Sequence, residues 1–241
     1  EKKITELLEK KDRIDAFSSC VKRIPEKVSL TDDSLSLLMN AHAAWLKLND
    51  EERAQVDGKL IEQIKEKEKE LQELAQAEAT DEDYTAVKEM EERIAAASGE
   101  VKLEDEETLK KIRSDFDAMT KIRQAMVVNY YSLVAQEMDL EKLKKDTAIA
   151  EAISERIAAL GEITFESEET LTALRKDYTA LTTAQKNLVR NYELLAQAEN
   201  KLADLKYNRS QAESAVEKIN AIGEVTLNSR EAIAKARAAY D

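Results

Sequence analysis

The pentapeptide GEVKL at residues 99–103 returns as GEITF at 161–165 and as GEVTL at 223–227, an interval of 62 residues each time. Shifting the chain by that interval lays GEVKLEDEETLKKIRSDFDAMTKIRQAMVVNYYSLVAQEMDLEKLK over GEITFESEETLTALRKDYTALTTAQKNLVRNYELLAQAENKLADLK without a gap. A match of that length identifies a unit of structure copied in tandem, in which neighbours help to bury what one copy of about 60 residues buries poorly alone. A further copy, GEVTLNSREAIAKARAAYD, keeps the register and aligns Leu109 with Leu171 and Ile233, Arg113 with Arg175 and Arg237, and Phe116 with Tyr178 and Tyr240. The stretch VSLTDDSLSLLMNAHAAWLKLNDEERAQV is a divergent first copy, with Val28 for Val101, Trp45 for Phe116, Leu48 for Met119 and two extra residues between Val28 and Trp45. The expected domains are therefore 1–74, 75–143 and 144–206, each a three-helix repeat, and 207–241, a partial repeat holding the first two helices.

Each copy reads as helix. Four glycines and one proline in 241 residues are too few breakers for a β-rich or loop-rich fold, so the class is all-α. The repeated glycine follows apolar-periodic segments ending in ERIAAL and EKINAI, where it serves as a left-handed helix stop; Pro25 ends the first helix by lacking an N–H. The alternation in GEVTL points two side chains inward and one outward, a short extended connection pinned on the core. A second helix is expected from Asp105, Ser167 and Ser229, whose side chains accept from free N-terminal amides, and it ends near Met119 or Leu181. Asn49 with Glu52 and Thr182 with Gln185 have the spacing of capping boxes for a third helix. No glycine or proline lies between Leu181 and Gly223, which predicts about 40 residues, roughly 60 Å, of unbroken helix. The last helix of one copy would then be the first of the next, giving spectrin-like bundles joined by continuous helices and a rod on the order of 100 Å long.

Helical spacing places Met126, Val127, Tyr130, Leu133, Leu140 and Leu143 in the core of the second copy, and Leu188, Val189, Tyr192, Leu195, Leu202 and Leu205 in that of the third. On the opposite side, the third copy carries Arg190, Glu193, Gln197 and Asn200 where the second has Val128, Tyr131, Ala135 and Met138. An exposed apolar stripe of this kind marks a partner site, the alternative being a face packed on a neighbouring helix of the same chain or of a dimer mate.

The remaining residues exclude more than they propose. A net charge of −13 without a basic, aromatic-interleaved stripe argues against nucleic acid, and the short apolar runs argue against membrane insertion. His42 and Cys20 are each the only residue of their type, so no metal site, catalytic dyad, cofactor or enzymatic activity is expected. His42 is expected at the surface, Cys20 and Trp45 in the core, and Arg113, Arg175 and Arg237 paired with acids on an adjacent helix. KEKEKELQEL at 65–74 reads as an exposed charged face, and Gly58 as an interruption of the first copy's third helix.

INAIGEVTLNSREAIAKARAAYD, with ALTTAQKNLVRNYELLAQAENKLADLK, resembles the tandem helical repeat of large surface proteins of Gram-positive, clostridia-like gut bacteria, closely over residues 75–241 and loosely over 1–74. The resemblance implies an extracellular protein of the bacterial cell surface, of which this chain is an excised fragment. Some such proteins bind host immunoglobulin through antibody variable domains, outside the antigen site, as superantigens do. It therefore implies a host protein as partner, with an immunoglobulin variable domain the first to test. A passive stalk and an intracellular spectrin-like scaffold are the alternatives, and the oligomeric state is left open.

Overall fold

The computed structural model describes residues 2–240, and the side chains of all of these except 2, 3, 5 and 6. Helix accounts for 78% of the chain, and no strand occurs among the described residues, as the all-α reading expects. The chain divides into two compact units, Glu1–Leu143 and Lys144–Asp241.

In the first unit, α1 (Lys2–Lys22), α2 (Ser34–Leu46), α3 (Asp50–Arg53) and α4 (Gly58–Glu78) form the first copy. The second copy is α5 (Asp81–Ala97), α6 (Glu106–Asp117), α7 (Lys121–Met126) and the start of α8 (Tyr130–Ala158). Phe17, Val21 and Leu38 centre one core and Ile94, Phe116 and Leu133 the other, while Leu30 and Met39 pack against both. In the second unit, the end of α8 packs with α9 (Glu168–Ala180), α10 (Thr183–Leu188) and α11 (Tyr192–Asn220), and α12 (Arg230–Tyr240) lies along α11. Ile157, Leu171, Leu174 and Leu195 hold its core. The core positions read from helical spacing are all buried or half-buried, each fully buried side chain contributing about 2 kcal/mol.

The starts and stops follow local chemistry. The Asn49–Glu52 and Thr182–Gln185 capping boxes both form. Gly161 and Gly223 sit at φ 61° and 59°, the left-handed stop. Gly99 sits at φ 156° instead, because the second copy reads ERIAAASG where the third reads ERIAALG. The extra residue leaves Ser98 extended, with its hydroxyl bonded back to the Ile94 carbonyl at 3.0 Å. Asp105, Ser167 and Ser229 do not cap the second helix as expected. Their side chains accept from the amides of Lys102, Thr164 and Thr226, three residues earlier, and so close the turn before the helix. At 103–105 and 165–167 that turn is 3₁₀, which leaves Leu103 and Phe165 outward while Val101 and Ile163 face the core; only half of the expected inward pair is realised.

The unbroken third helix is also corrected. It ends at Met126 and at Leu188 and restarts at Tyr130 and Tyr192. Val127 and Val189 take extended backbone and bury their side chains, a conformation β-branched residues favour. Asn129 and Asn191 then donate from Nδ2 to the carbonyls of Glu91 and Ser154 on the first helix of their copies, at 2.8 and 2.9 Å. That tertiary bond occupies the amide that an intrahelical residue would leave in solvent. In the first copy the same restart falls at Asp57, whose side chain caps α4, so Gly58 opens a helix rather than interrupting one.

Past each restart, α8 and α11 run 29 residues without interruption through 144–147 and 206–209. Between the first and second copies, however, no helix is shared. α4 stops at Glu78, Ala79 is extended, and Thr80 and Asp83 form a capping box that starts α5 afresh.

Candidate functional site

The four apolar substitutions of the second copy lie at and beyond the restart of α8. Val128 precedes the helix, is 65% exposed, and is fixed by its amide, which donates to Glu91 Oε1 at 2.9 Å. Tyr131, Ala135 and Met138 are half-buried, and Tyr131 and Met138 pack against the second core together with Met39, Ala43 and Leu46 of the first copy. The open stripe expected from the sequence is thus reduced to Val128. Tyr131 meets the first copy through His42 and Glu68, at a position where the third copy places Glu193.

The contact is specific. The Tyr131 ring stacks on His42 with centroids 3.3 Å apart and planes 12° from parallel. His42 Nδ1 bonds to Glu68 Oε1 at 2.9 Å, and the Tyr131 hydroxyl donates to the same oxygen. Burial, then the charge of Glu68 and its hydrogen bond, hold the Tyr131 phenol protonated well above its ordinary range. His42 is therefore no surface histidine, and Glu68 of the KEKEKELQEL run faces inward. Beside them a cavity of about 150 Å³ is walled by Leu35, Leu38, Met39, Leu71, Ala125 and Val127.

The recurring arginines are structural clasps. Arg113 holds Glu137 through Nε and Nη2, at 2.8 and 2.6 Å, and donates from Nη1 to the Tyr130 hydroxyl at 2.8 Å. Arg175 repeats this on Glu199 and Tyr192. Each guanidinium also lies over two rings, Phe116 and Tyr130 or Tyr178 and Tyr192. Burial opposes the charge of Arg113, but the bonds to Glu137 and Tyr130 outweigh it and its pKa is raised; for Arg175 the Glu199 bond leads in the same direction. Cys20 and Trp45 are half-buried against the first core, with Trp45 5.4 Å from the Phe17 ring.

Two further groups escaped the sequence reading. Asp83 accepts from the Thr80 amide and from Arg123 Nε, at 2.9 and 2.6 Å, and these bonds, the backbone one foremost, lower its pKa to about 2. Tyr84, 48% exposed on α5, stands two turns before Glu91 on the same helix face. Allowing for the extra residue before Gly99, it replaces Thr147 of the third copy, a difference visible once that insertion is placed.

Among the described residues, no group of three or more His, Cys, Asp or Glu is arranged to hold a metal ion, and no helix is long and apolar enough to cross a membrane. No protein-family model, curated protein or solved structure matches the chain.

Proposed function

We propose that the chain is a non-enzymatic helical-repeat module of a bacterial cell surface that binds a host protein through outward helix faces, an immunoglobulin variable domain being the first partner to test. The observation that carries this is Val128, an apolar side chain 65% exposed at a position where the third copy places Arg190. Tyr84 supports it from the neighbouring helix. Exposed apolar and aromatic side chains of this kind are favoured at protein-binding surfaces. The spectrin-like, elongated array expected from the repeat belongs to the same proposal, and small-angle scattering tests it.

The test is retention of polyclonal immunoglobulin and its isolated Fab by the immobilised chain. Binding with a dissociation constant of about 10 µM or tighter, weakened at least about tenfold by Val128→Arg with Tyr84→Glu, supports the reading. Val128→Arg installs the residue type of the third copy and leaves the unfolding midpoint unchanged. Absence of retention favours a passive spacer, which the partial burial of Tyr131, Ala135 and Met138 independently supports.

A further inference from the structure

The contact between the first and second copies does not close completely. Beside the stack of Tyr131 on His42 it leaves the cavity of about 150 Å³, and both copies wall it. Leu35, Leu38 and Met39 of α2 and Leu71 of α4 form one side, and Ala125 of α7 and Val127 form the other. All of these residues lie within one compact unit, far from either end of the sequence. The repeat does not require such a lining. Where the cavity has Gln124, Val128 and Tyr131, the third copy carries Lys186, Arg190 and Glu193. Val128, 65% exposed, and the half-buried Gln72 and Gln124 mark the side that opens to solvent.

The walls select the chemistry of a ligand. A cavity of this volume with apolar walls takes a single aromatic ring. Glu68 is the one charged residue that lines it. Its Oε1 accepts from His42 and from Tyr131, while Oε2 receives no hydrogen bond from any described residue. An anion is repelled by that carboxylate. An ammonium brings a charge and three donors to walls that are mostly apolar, whereas a single O–H or N–H needs only the one oxygen. We propose that this cavity is a binding site for a small neutral aromatic molecule of the phenol class, its ring among Leu38, Leu71 and Val127 and its one donor on Glu68. Because both copies supply walls, the ligand bridges them and stabilises their contact at the junction where no helix is shared.

The probes are phenol, toluene and benzylamine, each added to the full chain and followed through the methyl resonances of Leu, Val and Met. Phenol binds with a dissociation constant of about 5 mM or tighter, and the signals of Leu38, Met39, Leu71 and Val127 move while those of Leu171 and Leu195 in the second unit stay in place. A site without an acceptor favours toluene, the more apolar ring of the same size, so phenol bound at least as tightly reports the bond to Glu68. Ala125→Leu fills the cavity from α7 and weakens phenol at least about tenfold. Asn187→Leu, at the same position of the third copy, leaves phenol binding as it was. Four results on the unmodified chain each overturn the proposal: weaker binding of phenol than about 5 mM, signal changes spread over both units, tighter binding of toluene, or tighter binding of benzylamine. Undiminished phenol binding by a folded Ala125→Leu variant overturns it as well.

Discussion

Replacing Tyr131 with Glu separates an intrachain contact from an open docking face. In the structure the Tyr131 ring lies 3.3 Å from the His42 ring and its hydroxyl donates to Glu68. Removing the stack costs about 1 kcal/mol. Two carboxylates about 4 Å apart at an effective dielectric of about 20 repel by about 4 kcal/mol, and protonating one of ordinary pKa at pH 7 costs nearly as much. Glu is shorter than Tyr and turns partly to solvent, which halves that repulsion, so the total loss is about 3 kcal/mol. The chain has one tryptophan, Trp45, in the first unit and 5.4 Å from Phe17, so its fluorescence reports that unit alone during urea unfolding. At about 2 kcal/mol per molar urea, the midpoint falls by about 1.5 M. Tyr131→Phe, which keeps the stack and loses the hydroxyl bond, costs about half as much. The deficit of Tyr131→Glu narrows as pH falls toward about 4, where the introduced carboxyl takes up its proton. A midpoint unchanged within about 0.2 M would mean that Tyr131 faces solvent and that the first copy does not cover it.

Asn191→Ala removes the bond to the Ser154 carbonyl and lowers the stability of the second unit by about 1 to 2 kcal/mol in far-UV dichroism melts; Asn129→Ala does the same to the first unit. Gly161→Ala meets no neighbour but forces a side chain onto φ 61°, costing about 1 kcal/mol, whereas Gly58→Ala, at the start of α4 and equally open, is neutral or stabilising by up to about 0.5 kcal/mol. Asp83, whose folded pKa is lowered from 3.8 to about 2, contributes stability that is complete above pH 3.8 and is lost as pH falls through about 2. Asp83→Asn removes that part of the acid dependence of Trp45 fluorescence.

The helices and the core were legible because three copies of one register show which positions stay apolar and where glycine recurs. Their breaks were not. Val127 and Val189 end a helix without glycine or proline, and the cause is a bond from Asn129 or Asn191 to a distant carbonyl, which local propensity does not encode. The Thr80–Asp83 box obeys the same rule as Asn49–Glu52 and was readable; it was hidden by the expectation that every junction shares a helix. Contrasting Arg190, Glu193, Gln197 and Asn200 with Val128, Tyr131, Ala135 and Met138 detects a change of surroundings but not who supplies them. For Tyr131 the first copy supplies them, through Glu68 and through His42, which stands where the other copies have Arg113 and Arg175 and so reads as a surface position until its partners are seen.

Amide hydrogen exchange along the whole chain tests most directly whether the 62-residue sequence repeat is also a repeat of packing. Rapid exchange is expected at 79–80, 127–129 and 189–191, with slow exchange continuing through 144–147 and 206–209 inside α8 and α11. Rapid exchange at 144–147 and 206–209, or protection unbroken across 127–129 and 189–191, would contradict it.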